Sequence, residues 1–461
     1  MEYKISNRLK IAAIIMMALG LIGVASGFLS ANSVKTVEDV KVLLANEHHG
    51  HGDAHGTESH GNDHAETAHG ESASHGEEAH GTDSHAEGGH HMSHEEHVLH
   101  QIHNRPYAAL YVAAFFFFMI ALGVLAFYAI QYAAQAGWSP VLFRVMEGIT
   151  SYVLPGGLIV LAIAFVADSH LFVWLKEGVT EVGHENYDKL VAGKSGWLNK
   201  TGFFIRGLIF LGGWSLYRYF SRKFSIAQDS ANDGRNFKKN FRISAAFLVF
   251  YIYTESMMSW DWIMSVDPHW FSTLFGWYVF ASMFVSGITV IAMITIYLKS
   301  KGLLEFVNDS HIHDLAKFMF AISIFWTYLW FSQFMLIWYA DIPEEVTYFV
   351  TRIEHYKLPF FGMLAMNFIF PLLLLMNSDY KRIPWFVVMA GIVILCGHYL
   401  DVFNMIMPAT VVDRWYIGMP EIGAILLFGG LFLFIVFTAL GKAPLLAKGN
   451  PFMKESEHFH Y

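Results

Sequence analysis

The chain has 461 residues, 54% of them hydrophobic and only 15% charged, with a formal net charge of −9. Soluble domains carry roughly 25% charged residues, so a soluble fold is excluded, and no nucleic-acid partner is expected of so acidic and apolar a chain. The single cysteine, Cys396, excludes a disulfide within the chain, a sulfur-bound iron cluster and a CxxCH haem.

Repeated apolar runs of about 20 residues, the length that crosses a bilayer as a helix, predict an all-α integral membrane protein with about ten transmembrane helices. In chain order these cover 11–28, 107–132, 151–173, 202–219, 243–262, 273–298, 315–338, 358–376, 385–404 and 422–440. The first lies within residues 1–30. Its basic start and the small residues Ala25, Ser26 and Ala31 also fit a cleaved signal peptide, but a retained helix is expected. Lys and Arg concentrate in the segments on the N-terminal side of the membrane, which predicts that both termini are cytoplasmic.

Residues 31–106 follow as an extracytoplasmic loop. Between 47 and 103 it holds 16 of the 25 histidines, in repeats such as HGDAHGTESHGNDHAETAHGES. Gly, Ser, Asp and Glu fill the gaps, leaving no apolar core to offset the entropy of ordering, so disorder is expected. Neutral imidazoles bind Zn, Ni and Cu. The loop is read either as metal-gathering, for a divalent-cation transporter, or as a low-complexity insertion that binds metal incidentally; the second reading is preferred.

Charges inside predicted helices mark functional sites by default. The third helix ends near Asp168 and His170, the fourth carries Arg206 about one turn in, and the fifth carries Glu255 past its midpoint. The ninth carries His398 and Asp401, three residues apart and so on one helix face. All fall in the outer half of the bilayer, with Asp261, Asp267 and His269 near its surface. They are expected to form one polar cluster. Arg206 needs a carboxylate partner, and Asp168 or Glu255 is expected to supply it. Glu255, His398 and Asp401 suit a proton relay or a quinone-headgroup site.

On the inner side, Glu147 opens the third helix, and His311, His313, Asp314 and Lys317 precede or begin the seventh. Glu147, His313 and Asp314 are candidates for an inner proton mouth, although interfacial caps are the preferred reading. Tyr328, Ser332 and Gln333 are either packed core or hydroxyl stepping-stones. No metal site is expected, because HYLD is HxxD without a second such pair. Haem is not expected either, because His398 is the only histidine deep in a helix.

SWDWIMSVDPHWFSTLFGWY (259–278), HIHDLAKFMFAISIFWTYLWFSQFMLIWYADIPEE (311–345) and HYLDVFNMIMP (398–408) together resemble the F-type membrane subunit of alternative complex III. That complex is a bacterial quinol:cytochrome c or quinol:oxidase oxidoreductase. The subunit is similar to the NrfD/polysulfide-reductase membrane family, and the resemblance covers residues 107–440. It implies two four-helix bundles, spans two to five and six to nine, flanked by a peripheral helix pair, with 441–461 as a cytoplasmic tail. It also implies a bacterial inner-membrane location. The partners it implies are a sister NrfD-like membrane subunit, an iron–sulfur subunit and multihaem cytochrome c subunits. Quinone or quinol is the implied ligand, with no haem or iron–sulfur cluster on this chain and no catalysis by the chain alone. No quinone-site motif of the family matches residue by residue. A purely structural anchor of such a complex is the remaining alternative.

Overall fold

The computed structural model describes residues 3–50 and 93–460, with only the backbone of 46–50. The histidine repeats over 51–92, and the disorder and metal binding considered for them, lie outside the described residues. Within those residues the protein is all-α, with no strand. The helices are α1 (Asn7–Ser33), α2 (Val37–Gly50), α3 (His94–Ala133), α4 (Pro140–Val166), α5 (Lys200–Gln228), α6 (Arg235–Trp262) and α7 (Phe275–Ser300). They continue with α8 (Asp309–Ala340), α9 (Pro343–His355), α10 (Lys357–Leu375), α11 (Pro384–Val411), α12 (Met419–Leu440) and α13 (Met453–Glu457).

Among the described residues, eight helices are long and apolar enough to cross a membrane: α1, α3, α4, α7, α8, α10, α11 and α12. Ten were anticipated, and the two remaining, α5 and α6, have the length but not the mean apolarity. Their charges are the reason. Arg206, Arg218, Arg222 and Lys223 sit on α5, and Arg235, Lys238, Lys239, Arg242, Glu255 and Asp261 on α6. Both still expose one greasy face, with Ile205, Leu208 and Ile209 on α5 and Val249, Ile252 and Tyr253 on α6. A face of that kind is what lipid contact requires.

The 31–106 segment is not all loop. Residues 37–50 form α2, and α3 begins at His94, well before its apolar run. The reason is local: Ser93 accepts from the Glu96 N–H while the Glu96 carboxylate accepts from the Ser93 N–H, a reciprocal cap that starts the helix early.

Helix α3 is the hub. Nearly every residue from Ala108 to Tyr132 is buried, because α3 touches α4 and α6 on one side, α7 and α11 on another, and α12 on a third. One four-helix group is α3, α4, α5 and α6; the other is α7, α8, α10 and α11; α1 and α12 pair at the periphery. The expected arrangement is therefore present. The first and last described segments lie at one end of the bundle, where the Gly441 backbone approaches Tyr3 and Ser456 Oγ donates to the Trp138 carbonyl (2.6 Å). The opposite end carries α2, α9 and the 167–199 and 263–274 connections, and is called here the loop end.

Small residues let the hub close. A Cβ on Gly123 of α3 would lie 2.1 Å from the Met283 carbonyl oxygen of α7, and one on Gly287 would lie 2.8 Å from the Val124 nitrogen. The two backbones are in direct contact, the usual reason for glycine at membrane helix crossings. Replacing Gly123 with Leu is expected to force the helices apart at a cost of about 1–3 kcal/mol or more. Thermal unfolding in detergent would show a lowered midpoint, and an unchanged midpoint would disprove the backbone contact.

Candidate functional site

The single polar cluster anticipated near the loop end divides into separate groups. No hydrogen bond or ion pair joins them among the described residues.

The first group lies between α5 and α6. Arg206 donates from Nε to Asp261 Oδ2 (2.7 Å) and from a terminal nitrogen to Oδ1 (3.1 Å). Trp197 Nε1 donates to the same Oδ1 (2.7 Å), and the Arg206 guanidinium stacks over the Trp197 ring at 4.1 Å. Asp261 is fully buried. The partner of Arg206 is thus Asp261, and not Asp168 or Glu255. Asp168 lies beyond the end of α4 and pairs with Lys200 (2.7 Å) where both are partly exposed. Arg206 and Asp261 sit at the same depth on adjacent antiparallel helices, a relation that depth within single helices does not reveal.

Glu255 stands apart. It is buried on α6, its nearest side-chain partner is Ser256 Oγ at 3.5 Å, and Oε1 has no partner within the described residues. Ser259, one turn away, donates instead to the Ser256 carbonyl (2.7 Å).

The second group fills the bundle of α7, α8 and α11. His398 and Asp401 are wholly buried, with Nδ1 and Oδ2 3.5 Å apart. Three donors from two other helices converge on the carboxylate. Tyr278 Oη donates to Oδ1, while Ser282 Oγ (2.8 Å) and Trp326 Nε1 (2.9 Å) donate to Oδ2. Ser282 Oγ also lies 2.9 Å from His398 Nδ1. A hydroxyl carries one proton, so a Ser282 that donates to Asp401 must accept from His398 Nδ1–H. The three side chains form a line, imidazole to hydroxyl to carboxylate. His398 Nε2 has no partner among the described residues, and the Trp326 ring meets the imidazole edge-on at 5.3 Å.

Asn367 adds a further buried polar group beside this line. A Cβ on Gly397 would lie 2.1 Å from Asn367 Oδ1, and both polar atoms of Asn367 are unpartnered within the described residues. It sits in a π-helical turn, Ala365–Ile369, where the Phe370 N–H bonds the Ala365 carbonyl. Pro371 explains the turn: its ring cannot bond the Asn367 carbonyl four residues back, and widening the helix relieves the clash.

At the loop end, a small cavity of about 20 Å³ touches Asp401, Tyr278, Gln333 and Arg352, room for about one water. Trp270 separates it from a larger open groove of about 520 Å³ lined by Trp197, Trp260, Met264 and Phe271. Trp270 and Trp262 are buried, so only part of the 259–278 aromatic stretch lies at the membrane boundary, Trp277 being half exposed. His269 pairs with Asp188 (2.5 Å).

At the other end, Glu147 accepts from Arg144 (2.7 Å) and from Tyr128 Oη (3.0 Å), all three buried, and Arg144 also binds Asp229 (2.5 Å). That is an ion-pair network tying α4 to α5. His313 lies 3.8 Å from Asp314, which pairs with Lys317 (2.5 Å), and His313 Nε2 is 3.2 Å from Ser378 Oγ. His311 completes a helix cap with Asn308. Residue type alone also passed over Arg105, which binds Glu421 through two hydrogen bonds of 2.8 Å and fastens α12 to the hub. Both lie just outside the apolar runs, where a span-by-span reading does not look.

No known protein family matches this chain, and no curated protein matches it at a significant level.

Two predictions follow from this geometry. Arg206→Gln strands a buried carboxylate and is expected to cost about 3–5 kcal/mol, while Asp168→Asn, at a partly exposed pair, costs about 0–1 kcal/mol. Equal thermal shifts for the two variants would contradict the assignment of partners. In the 167–199 connection, burial works against the Asp188 charge, but the His269 bond and the backbone N–H groups of Leu190 and Val191 hold its carboxyl below the usual range. A depressed carboxyl stabilises the fold above its unfolded value of about 3.9 and loses that effect as pH falls through the folded value. Proteolysis of the connection should therefore rise as the pH drops below about 4, and Asp188→Asn should make it nearly pH-independent.

Proposed function

We propose that this chain is the membrane subunit of a respiratory quinol:cytochrome c or quinol:oxidase oxidoreductase, and that it moves protons released by quinol oxidation. In this reading the chain lies in the bacterial cytoplasmic membrane with both termini in the cytoplasm. It assembles with a sister membrane subunit, an iron–sulfur subunit and multihaem cytochrome c. Quinol gives two electrons to those partners and two protons to acceptors.

The observation that carries the reading is the buried His398–Ser282–Asp401 line. Once Nε2 has taken up a proton, a concerted shift passes the Nδ1 proton of His398 to Ser282 and the Ser282 proton to Asp401, leaving a neutral imidazole and a protonated carboxyl without breaking helix contacts. Tyr278 and Trp326 hold the carboxylate in place for that exchange, the kind of pre-set acid–base geometry proton transfer needs. The aromatic groove beside Trp270 adds a place at the loop end of a size suited to a ring-bearing ligand. The resemblance of the 259–278, 311–345 and 398–408 segments supplies the class of complex. Glu255, buried with one oxygen unpartnered among the described residues, is a secondary relay candidate.

The test replaces Asp401 with Asn, His398 with Gln and Glu255 with Gln in the assembled complex. Asp401→Asn and His398→Gln are each expected to lower the rate of quinol turnover, and of the proton release tied to it, roughly tenfold or more while the subunits remain together. Unchanged turnover and proton release in both would defeat the relay.

A further inference from the structure

Arg352 is a buried cation with no carboxylate at ion-pair distance among the described residues. It lies on α9, an amphipathic helix at the loop end whose Phe349 and Arg352 turn inward together. Its guanidinium stacks 3.4 Å over the Tyr348 ring and donates to the Tyr348 carbonyl (2.7 Å). Its Nε donates to the Asn404 carbonyl of α11 (3.0 Å).

That carbonyl is free for a reason in the sequence. In a regular helix it would accept from the N–H of residue 408, but residue 408 is proline and has none. Pro408 thus leaves one orphan acceptor three residues from Asp401, and Arg352 takes it. The anchored guanidinium lines the same one-water cavity as Asp401.

We propose that Arg352 is the positioning charge of the site: held by the Asn404 carbonyl that Pro408 leaves open, it faces Asp401 across this cavity and tunes how that carboxylate takes up and gives up its proton. The cavity has the size for one water and polar partners in Arg352, Asp401, Tyr278 and Gln333, which suits a bridging water. Gln333 in turn accepts from Ser272 of the loop-end connection (2.8 Å).

The other charged or titratable groups around Asp401 are few. His398 lies on its own helix and Tyr278 on α7. Tyr348 comes from α9, with Asp267 of the α6–α7 connection beyond it. Arg352 is the one permanent cation among them. A purely structural Arg352, clamping α9 to α11, would explain the two carbonyl bonds but would not change the proton affinity of Asp401.

This role rests on the relay reading, and its test is kept separate from turnover. The full chain in lipid nanodiscs, labelled with ¹³C-carboxyl aspartate, is titrated by infrared spectroscopy, and the Asp401 band is identified by its loss in Asp401→Asn. Arg352→Gln is expected to raise the pH at which the Asp401 carboxyl protonates by about one unit or more, tenfold in proton affinity. Arg352→Lys, which keeps the charge, restores a midpoint close to the original. Pro408→Ala, which gives the Asn404 carbonyl a helical N–H and loosens Arg352, shifts it the same way by a smaller step. An unmoved midpoint in Arg352→Gln overturns the proposal. If that variant does not fold, an unmoved midpoint in Pro408→Ala overturns it instead. A normal infrared shift with no effect of Asp401→Asn on proton release would leave Arg352 as proposed and remove the relay.

Discussion

A carboxylate buried in a helix bundle within the bilayer must be met by donors that its own helix cannot supply, because helix backbone N–H groups are already bonded. Asp401 meets this constraint with Tyr278 and Ser282 from α7 and Trp326 from α8. Those bonds fix the rotation of three helices about their axes, and with it the place of His398, whose Nδ1 faces the same hydroxyl. The cavity, the Arg352 anchor and the π-helical turn of α10 are arranged around that point. The same requirement met differently gives Arg206 and Asp261 in the other bundle, where the two charges answer each other directly.

The contrast between the two bundles separates a clamp from a site that can exchange a proton. Arg206–Asp261 and Arg105–Glu421 pair a guanidinium with a carboxylate through two hydrogen bonds each. A planar guanidinium fork suits a fixed two-point grip on a carboxylate, so both pairs serve to hold helices in register. His398 and Asp401 are joined instead through a hydroxyl that can take and give, and His398 keeps a ring nitrogen unpartnered within the described residues. The buried Arg144–Glu147–Asp229 network at the opposite end belongs with the clamps.

Helices and their order were legible in the sequence because twenty-residue apolar runs have no other stable form in lipid. The His398–Asp401 pair was legible too, since a spacing of three within one helix fixes a shared face. Contacts between helices were not. Asp261 ends an apolar run, which places it near the membrane surface without naming a partner, and the neighbouring α5 brings Arg206 to it. Trp326 and Ser282 carry no signal of their own in the sequence, since indole and hydroxyl become ligands of a carboxylate only once helix rotation is known. Arg352 lay in a short amphipathic segment outside every span. The one sequence signal for it, Pro408 four residues after Asn404, points to an open carbonyl but not to what fills it. The early start of α3 was also readable in principle, from Ser93 and Glu96 at cap spacing, but the histidine-rich composition around them masked it.

A proton line that serves quinol oxidation requires redox partners bound to this chain. Mild detergent extraction of the chain from its native membrane, followed by identification of the proteins that remain bound, tests it most directly. Haem c and iron–sulfur proteins in stable proportion to the chain are the predicted result. A chain that purifies alone, or only with proteins that carry no redox centre, would contradict it.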